Sequence, residues 1–174
     1  MEIYITDLAA YNNGHLIGEW VSLPMDEDDL KAKINEILSI GAEVCGDDDH
    51  DEIFLTDYES DFMEIGEFDN PFKLNEIAEQ ADGLNDHELK MVGFLLRNGL
   101  VKDFEEALEK YEDVIIHENS TMEDVAYDFI DGFYNLKDLP TIIVNAIDYE
   151  QIGRELSYDG RYFEEDGDIY EYLG

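Results

Sequence analysis

The sequence predicts an α+β fold built as three small units: an α+β unit over residues 1–69, a helical unit over 70–112 and a second α+β unit over 113–174. Three observations predict it. Short runs near both ends alternate apolar and polar residues, as half-buried strands do. Between them apolar residues recur at three- and four-residue steps, as on amphipathic helices. The chain is 44% hydrophobic and 12% aromatic, far more apolar than an acidic disordered chain. Its charge is also patterned. There are 46 Asp and Glu against 10 Lys and Arg, a formal net charge of −36. Residues 1–69 hold 20 acids against 2 bases, residues 70–112 hold 10 against 5, and residues 113–174 hold 16 against 3. The surface is therefore expected to be highly acidic, with the excess in the two outer units, although self-repulsion of this kind destabilises a compact state.

In the first unit, Glu2–Thr6 alternates and reads as a strand with Ile3 and Ile5 buried. Tyr11-Asn12-Asn13-Gly14 reads as a turn, since Asn-Gly favours one. Leu16–Leu23 returns as a second strand, ended by Pro24. Asp26 caps a helix to about Leu38, with Leu30, Ile34, Ile37 and Leu38 inward and Asp28 and Asp29 at the favourable end of the helix dipole. Residues 41–52 read as an acidic loop, Ile53–Asp57 as a third strand, and residues 57–70 as a further loop.

In the helical unit, Asn70 and Pro71 open a helix running to about Ala81, where Asp82-Gly83 breaks it. Asn85 with Glu88 opens a second, with Leu89, Val92, Leu95 and Leu96 inward, and Gly99 ends it. Asp103 with Glu106 opens a third through Ala107, Leu108 and Tyr111.

In the last unit, Val114–His117 is a short strand. Ser120 with Glu123 forms a capping box for a helix to Asn135. Met122, Val125, Ala126, Phe129, Ile130 and Phe133 form its apolar stripe, and Glu123, Asp124, Asp128 and Asp131 the opposite face. No Lys or Arg is interleaved with these acids, so like charges one turn apart repel. Pro140 precedes another helix bearing Ile143, Val144 and Ile147, ended near Leu156. Tyr162–Phe163 and Ile169–Tyr172 form a hairpin around the acidic turn Glu164–Asp168.

Several chemistries are disfavoured. Asp47, Asp49 and Asp51 have the spacing of a calcium loop, but Glu52 stands where the loop needs Gly and Tyr58 where it needs Glu. The four histidines show no paired zinc spacing, so no metal or other cofactor is expected. No nucleophile elbow, P-loop or dinucleotide fingerprint occurs, and cationic groups to stabilise an anionic transition state are scarce. The expectation is a binding protein and not an enzyme. Cys45 has no intrachain partner, the chain opens Met-Glu-Ile-Tyr without a basic leader, and no apolar run reaches the length of a membrane helix. These features suggest a cytoplasmic protein that repels nucleic acid and membranes and binds a basic surface.

Three separate stretches resemble the ArdA antirestriction proteins. They are Ile3-Tyr4-Ile5-Thr6-Asp7-Leu8 with Tyr11-Asn12-Asn13-Gly14 and Gly18-Glu19-Trp20; Phe54-Leu55-Thr56-Asp57-Tyr58-Glu59; and Ile147-Asp148-Tyr149-Glu150 with Gly153-Arg154-Glu155-Leu156 and Ser157-Tyr158-Asp159-Gly160. The resemblance implies an elongated homodimer of three small domains per chain, carried by mobile genetic elements, with the C-terminal domain the expected dimerisation domain. It implies a mimic of B-DNA that occupies the DNA-binding groove of type I restriction–modification enzymes, with no catalytic residues. It places the Ser120–Asn135 helix in the region the family associates with activity.

Duplex DNA carries one charge per roughly 1.7 Å of axis, so a dimer bearing twice the −36 of this chain matches about 120 Å of duplex. The acids assigned to this distributed array are Asp26, Glu27, Asp28 and Asp29; Asp47, Asp48, Asp49, Asp51 and Glu52; Asp57, Glu59 and Asp61; Glu123, Asp124, Asp128 and Asp131; and Glu164, Glu165, Asp166 and Asp168. An acidic chaperone or adaptor for a basic protein is the alternative reading, and a merely solvating acidic surface of halophilic type is a third.

Overall fold

A computed structural model describes residues 1–46 and 49–174. The chain divides into two compact units, Met1–Phe104 and Glu105–Gly174.

The first unit opens with β1 (Glu2–Asp7), the centre of an antiparallel sheet ordered β2-β1-β3. Ile3 and Ile5 are buried as the alternation predicts. The turn expected at Tyr11–Gly14 is preceded by a short helix, α1 (Leu8–Asn12). Asp7 creates it: its carboxylate accepts the Ala10 N–H at 2.9 Å. β2 (Gly18–Ser22) is shorter than the predicted strand, and β3 (Ile53–Glu59) runs two residues past it.

The helix α2 (Glu27–Cys45) is capped by Asp26 as expected but continues seven residues beyond Leu38. Residues 41–45, read as loop, are therefore helical. Gly41 lies inside the helix at a close approach: a Cβ would lie 1.8 Å from the Asp7 carboxylate. The helix stops instead at Gly46, in the left-handed region at φ 68°.

The helices α3 (Pro71–Ala81) and α4 (Asp86–Arg97) follow their predicted caps. Asn70 accepts from Phe72 N, and Asn85 and Glu88 complete a reciprocal capping box. One core runs through Ile3, Ile5, Val21, Leu30, Ile37, Leu55 and Leu74. In α4 the buried residues include Met91 and Phe94, which the predicted stripe omits. The helix α5 (Phe104–Lys110) follows.

The second unit holds the sheet β4-β6-β5, formed by β4 (Val114–His117), β5 (Tyr162–Glu165) and β6 (Asp168–Tyr172). The predicted hairpin closes through Asp166 (φ 52°) and Gly167 (φ 87°), two left-handed residues that match the twist of the flanking strands. α6 (Met122–Tyr134) starts one residue later than predicted. Its capping box is Thr121 with Asp124, not Ser120 with Glu123; the Ser120 hydroxyl donates to the Glu118 carbonyl instead.

The α6 stripe is only half covered. Val125 and Ala126 are buried, but Phe129 is 37% and Phe133 73% exposed. The single helix expected after Pro140 is two, α7 (Thr141–Val144) and α8 (Tyr149–Ser157). Asp148 separates them, because its carboxylate accepts the Gln151 N–H at 2.9 Å and starts a new helix. Gly153 lets α8 press onto α6: a Cβ there would lie 2.4 Å from the Met122 carbonyl oxygen.

Candidate target-binding surface

The acids of the first unit converge because the lead-in to α2 is clamped to α3. Asn75 is buried; its side chain accepts from Met25 N at 2.8 Å and donates to Met25 O at 2.9 Å. Those two bonds bring the start of α2 to the side of α3 across fifty residues of sequence. The cleft between them, about 600 Å³, is lined by Asp26, Glu27, Glu76, Glu79 and Asp82 over a floor of Met25, Phe72 and Asn75.

A second cleft of about 390 Å³ shares Pro24 and Asp82 with the first. It adds Glu2, Glu59, Asp61 and Asp86. The two form one acidic belt along the unit.

Several carboxylates in this belt are held in place. Asp26 accepts from Asp28 N at 2.9 Å and Asp29 N at 3.4 Å, which orients the acidic first turn of α2. Glu2 accepts the Ser22 hydroxyl at 2.6 Å and lies opposite Glu59 across the β1–β3 ladder. Directly opposed like charges destabilise a sheet, so this pair costs the fold something.

Of the acids singled out in the sequence, the structure gathers Asp26, Glu27, Glu59 and Asp61 at the belt. Asp28 and Asp29 are exposed on the adjoining turn, and Asp57 is exposed on β3. Sequence reasoning missed Glu2, Glu76, Glu79, Asp82 and Asp86. Glu76, Glu79 and Asp82 recur at i, i+3 and i+6 on one face of α3, a signal that was present but masked by the low net charge of residues 70–112.

Asp47 and Asp48 lie outside the described residues. Asp49, Asp51 and Glu52 are exposed, and the segment is fastened by His50. The His50 ring is 2% exposed, with Nδ1 2.5 Å from Oδ2 of the fully buried Asp7. Sequence reading treated this histidine as ordinary and did not single out Asp7. Among the described residues no group of three or more His, Cys, Asp or Glu side chains is arranged to hold a metal ion.

In the second unit, Glu123, Asp124 and Asp128 are exposed on α6 and Asp131 is half-buried. Two of these four are engaged within the fold. The Thr121 hydroxyl, and then its backbone N–H, hold the Asp124 carboxyl below its ordinary pKa. Asp131 accepts from Leu136 N at 3.0 Å. On the hairpin, Glu164 and Asp166 are exposed, Glu165 and Asp168 are half-buried, and Asp168 accepts from Asn119 N at 2.8 Å.

The model of the antirestriction protein family ArdA matches residues 3–171. The chain belongs to the ArdA family. The match takes in the acidic belt apart from Glu2, the α6 helix and all but the last residue of the C-terminal hairpin. Membership implies an antirestriction role, an inhibitor's and not a known enzyme's, directed at restriction enzymes. Comparison with curated proteins gives no match. No helix among the described residues is long and apolar enough to cross a membrane.

Proposed function

We propose that this ArdA-family protein mimics B-DNA through its surface carboxylates and blocks the DNA-binding groove of type I restriction–modification enzymes by direct competition. The observation that carries the reading is the acidic belt. It joins carboxylates from β1, β3, α2, α3 and α4 along two adjacent clefts, on elements fixed by a buried core. A groove that binds phosphates through Arg and Lys accepts carboxylates through the same charge-assisted hydrogen bonds. Carboxylates already ordered by caps and ladders lose less freedom on binding.

The acting species in this reading is an elongated homodimer of three-domain chains, working in the cytoplasm of a cell entered by a mobile element. The exposed apolar side chains of α6 and α7 support a dimer interface in the C-terminal domain. Phe133, Tyr134 and Ile142 are 73%, 63% and 77% exposed, more than a lone solvated face requires.

The test is a type I restriction reaction on unmethylated plasmid with increasing protein. Cleavage is expected to stop, mobility shifts with DNA alone to show no complex, and protein and DNA to exclude each other on the enzyme. A stable ternary complex, with DNA still in its groove, would overturn direct competition.

A further inference from the structure

One feature of the first unit is not explained by carboxylates. Phe68 is 73% exposed, yet the turn that carries it is hydrogen-bonded in place. Gly66 N donates to Asp69 Oδ2 at 2.8 Å, and Asp69 N donates back to Gly66 O at 3.1 Å, closing a tight turn around it. Leu55 N donates to Glu67 O at 2.7 Å and ties that turn to β3. Asn70, next in sequence, caps α3. The ring lies 6.4 Å from that of Phe54 at an interplanar angle of 28°, and Tyr11 meets Phe54 edge-on at 5.1 Å. The turn that carries the ring is hydrogen-bonded on both sides of it, and Phe68 is flanked in sequence by Glu67 and Asp69.

The apolar residues left bare on α6 and α7 are several, lie on two helices and suit a broad, like-to-like contact. Phe68 is one ring between carboxylates, so its complement is a planar slot bordered by cationic groups. A nucleic-acid-binding groove offers such a place, where guanidinium planes and base-stacking side chains receive a nucleobase. Enzymes that modify a base also extrude it into a pocket.

We propose that Phe68 stands in for a nucleobase. It is an aromatic anchor that stacks in the base-receiving part of the partner's groove while the neighbouring acids meet the phosphate contacts. This inference rests on the competitive reading above and adds to it a contact that salt does not screen.

The experiment measures affinity for a type I enzyme at two salt concentrations, for wild type, Phe68→Ala, Phe68→Trp and the belt variant Asp26→Asn/Glu27→Gln. Circular dichroism and solution mass serve as controls. Phe68→Ala is expected to keep its fold and mass and to lose on the order of tenfold in affinity at both salt concentrations, as removal of a stacking partner does. Phe68→Trp should bind within about threefold of wild type, since a larger ring stacks as well. The belt variant should change the salt dependence, which Phe68→Ala should not.

Three results overturn the inference: Phe68→Ala binding like wild type, Phe68→Trp binding as poorly as Phe68→Ala, or Phe68→Ala altering the solution mass, which would make the ring a contact between copies. A wild-type protein that never displaces DNA from the enzyme sinks the competitive reading itself, and this inference with it.

Discussion

The two units manage the same excess of negative charge differently. The first surrounds a sheet with helices and fully buries Ile3, Ile5, Leu30, Val92, Phe94 and Leu95. That core supports crowded acids, including a like-charged pair across one ladder. In the second unit few side chains are so completely covered, chiefly Ala107, Ala126 and Ile169, while Phe133, Ile142 and Tyr158 are each more than 70% exposed. A chain this charged keeps apolar area on its surface only at a cost in solubility, so the contrast separates two tasks. One unit encloses its own core, and the other leaves apolar side chains uncovered, which is what the proposed pairing of two copies would require.

The strongest way to break this comparison is at the two phenylalanines. Phe94→Ala should destabilise the first unit by about 3–5 kcal/mol, because a wholly enclosed ring leaves a cavity. Phe133→Ser should leave the monomer's fold nearly unchanged. Combined with Ile142→Ser, it should lower the solution mass from twice the 20.1 kDa of the chain to that value. Denaturant unfolding and sedimentation measure the two effects. A Phe133→Ser that unfolds the chain would mean that the second unit's core had been misjudged.

A smaller effect is expected at the clamp. Asn75→Ala leaves the Met25 backbone N–H and carbonyl without side-chain partners in a partly buried place, which should cost about 1–3 kcal/mol. It should also weaken target binding more than loss of one acid does, because it releases one wall of the cleft from the other. Amide exchange at Met25, faster in the variant, reports the release directly.

The α6 face sharpens the comparison further. Glu123→Gln with Asp128→Asn removes two carboxylates that no internal hydrogen bond engages. Each single change should reduce affinity by less than about threefold, as screened surface charges do, and the pair by more. A single change that abolished binding in a folded protein would replace the distributed array by one specific contact.

The smallest effect belongs to the α6 cap. The depressed pKa of Asp124 means that its ionised form is favoured by folding. Its stabilising contribution is therefore present above the ordinary carboxylate value of 3.8 and lost as pH falls through the lower folded value. Thr121→Ala should reduce stability slightly at neutral pH, and the difference from wild type should shrink at strongly acid pH to what the Thr121 hydroxyl contributes by accepting the Asp124 N–H. Thermal melts across that range check the sign.

Elements governed by local rules were legible in the sequence. Asn70 with Pro71, Asn85 with Glu88, and Asp26 each start the helix their chemistry predicts. The errors fell where a distant group decided. Residues 41–45 read as loop until Asp7 is placed against Gly41 within the helix. Phe133 reads as core because helical spacing cannot report whether anything lies opposite. On α6, Ser120 with Glu123 and Thr121 with Asp124 both fit the capping pattern, and the second pair forms. The candidate surface was less legible than the fold. Charge runs drew attention to the outer stretches, whereas four of the belt's nine acids, Glu76, Glu79, Asp82 and Asp86, come from α3 and its neighbours, where Lys and Arg hide the acids in any count by segment. The pairing of Asn75 with Met25, over the core that α2 and α3 share, brings those acids beside Asp26 and Glu27.

That pairing has a consequence for how the sequence tolerates change. The α2 arm of the belt is fastened at Met25, just before the helix starts, and not at the helix's far end. Beyond that far end, His50 is fixed separately against the buried Asp7. Insertions or deletions between residues 46 and 52 therefore fall outside both arms. A chain altered in length there is expected to keep the spacing between the acids of α2 and α3, which the Asn75–Met25 pair sets.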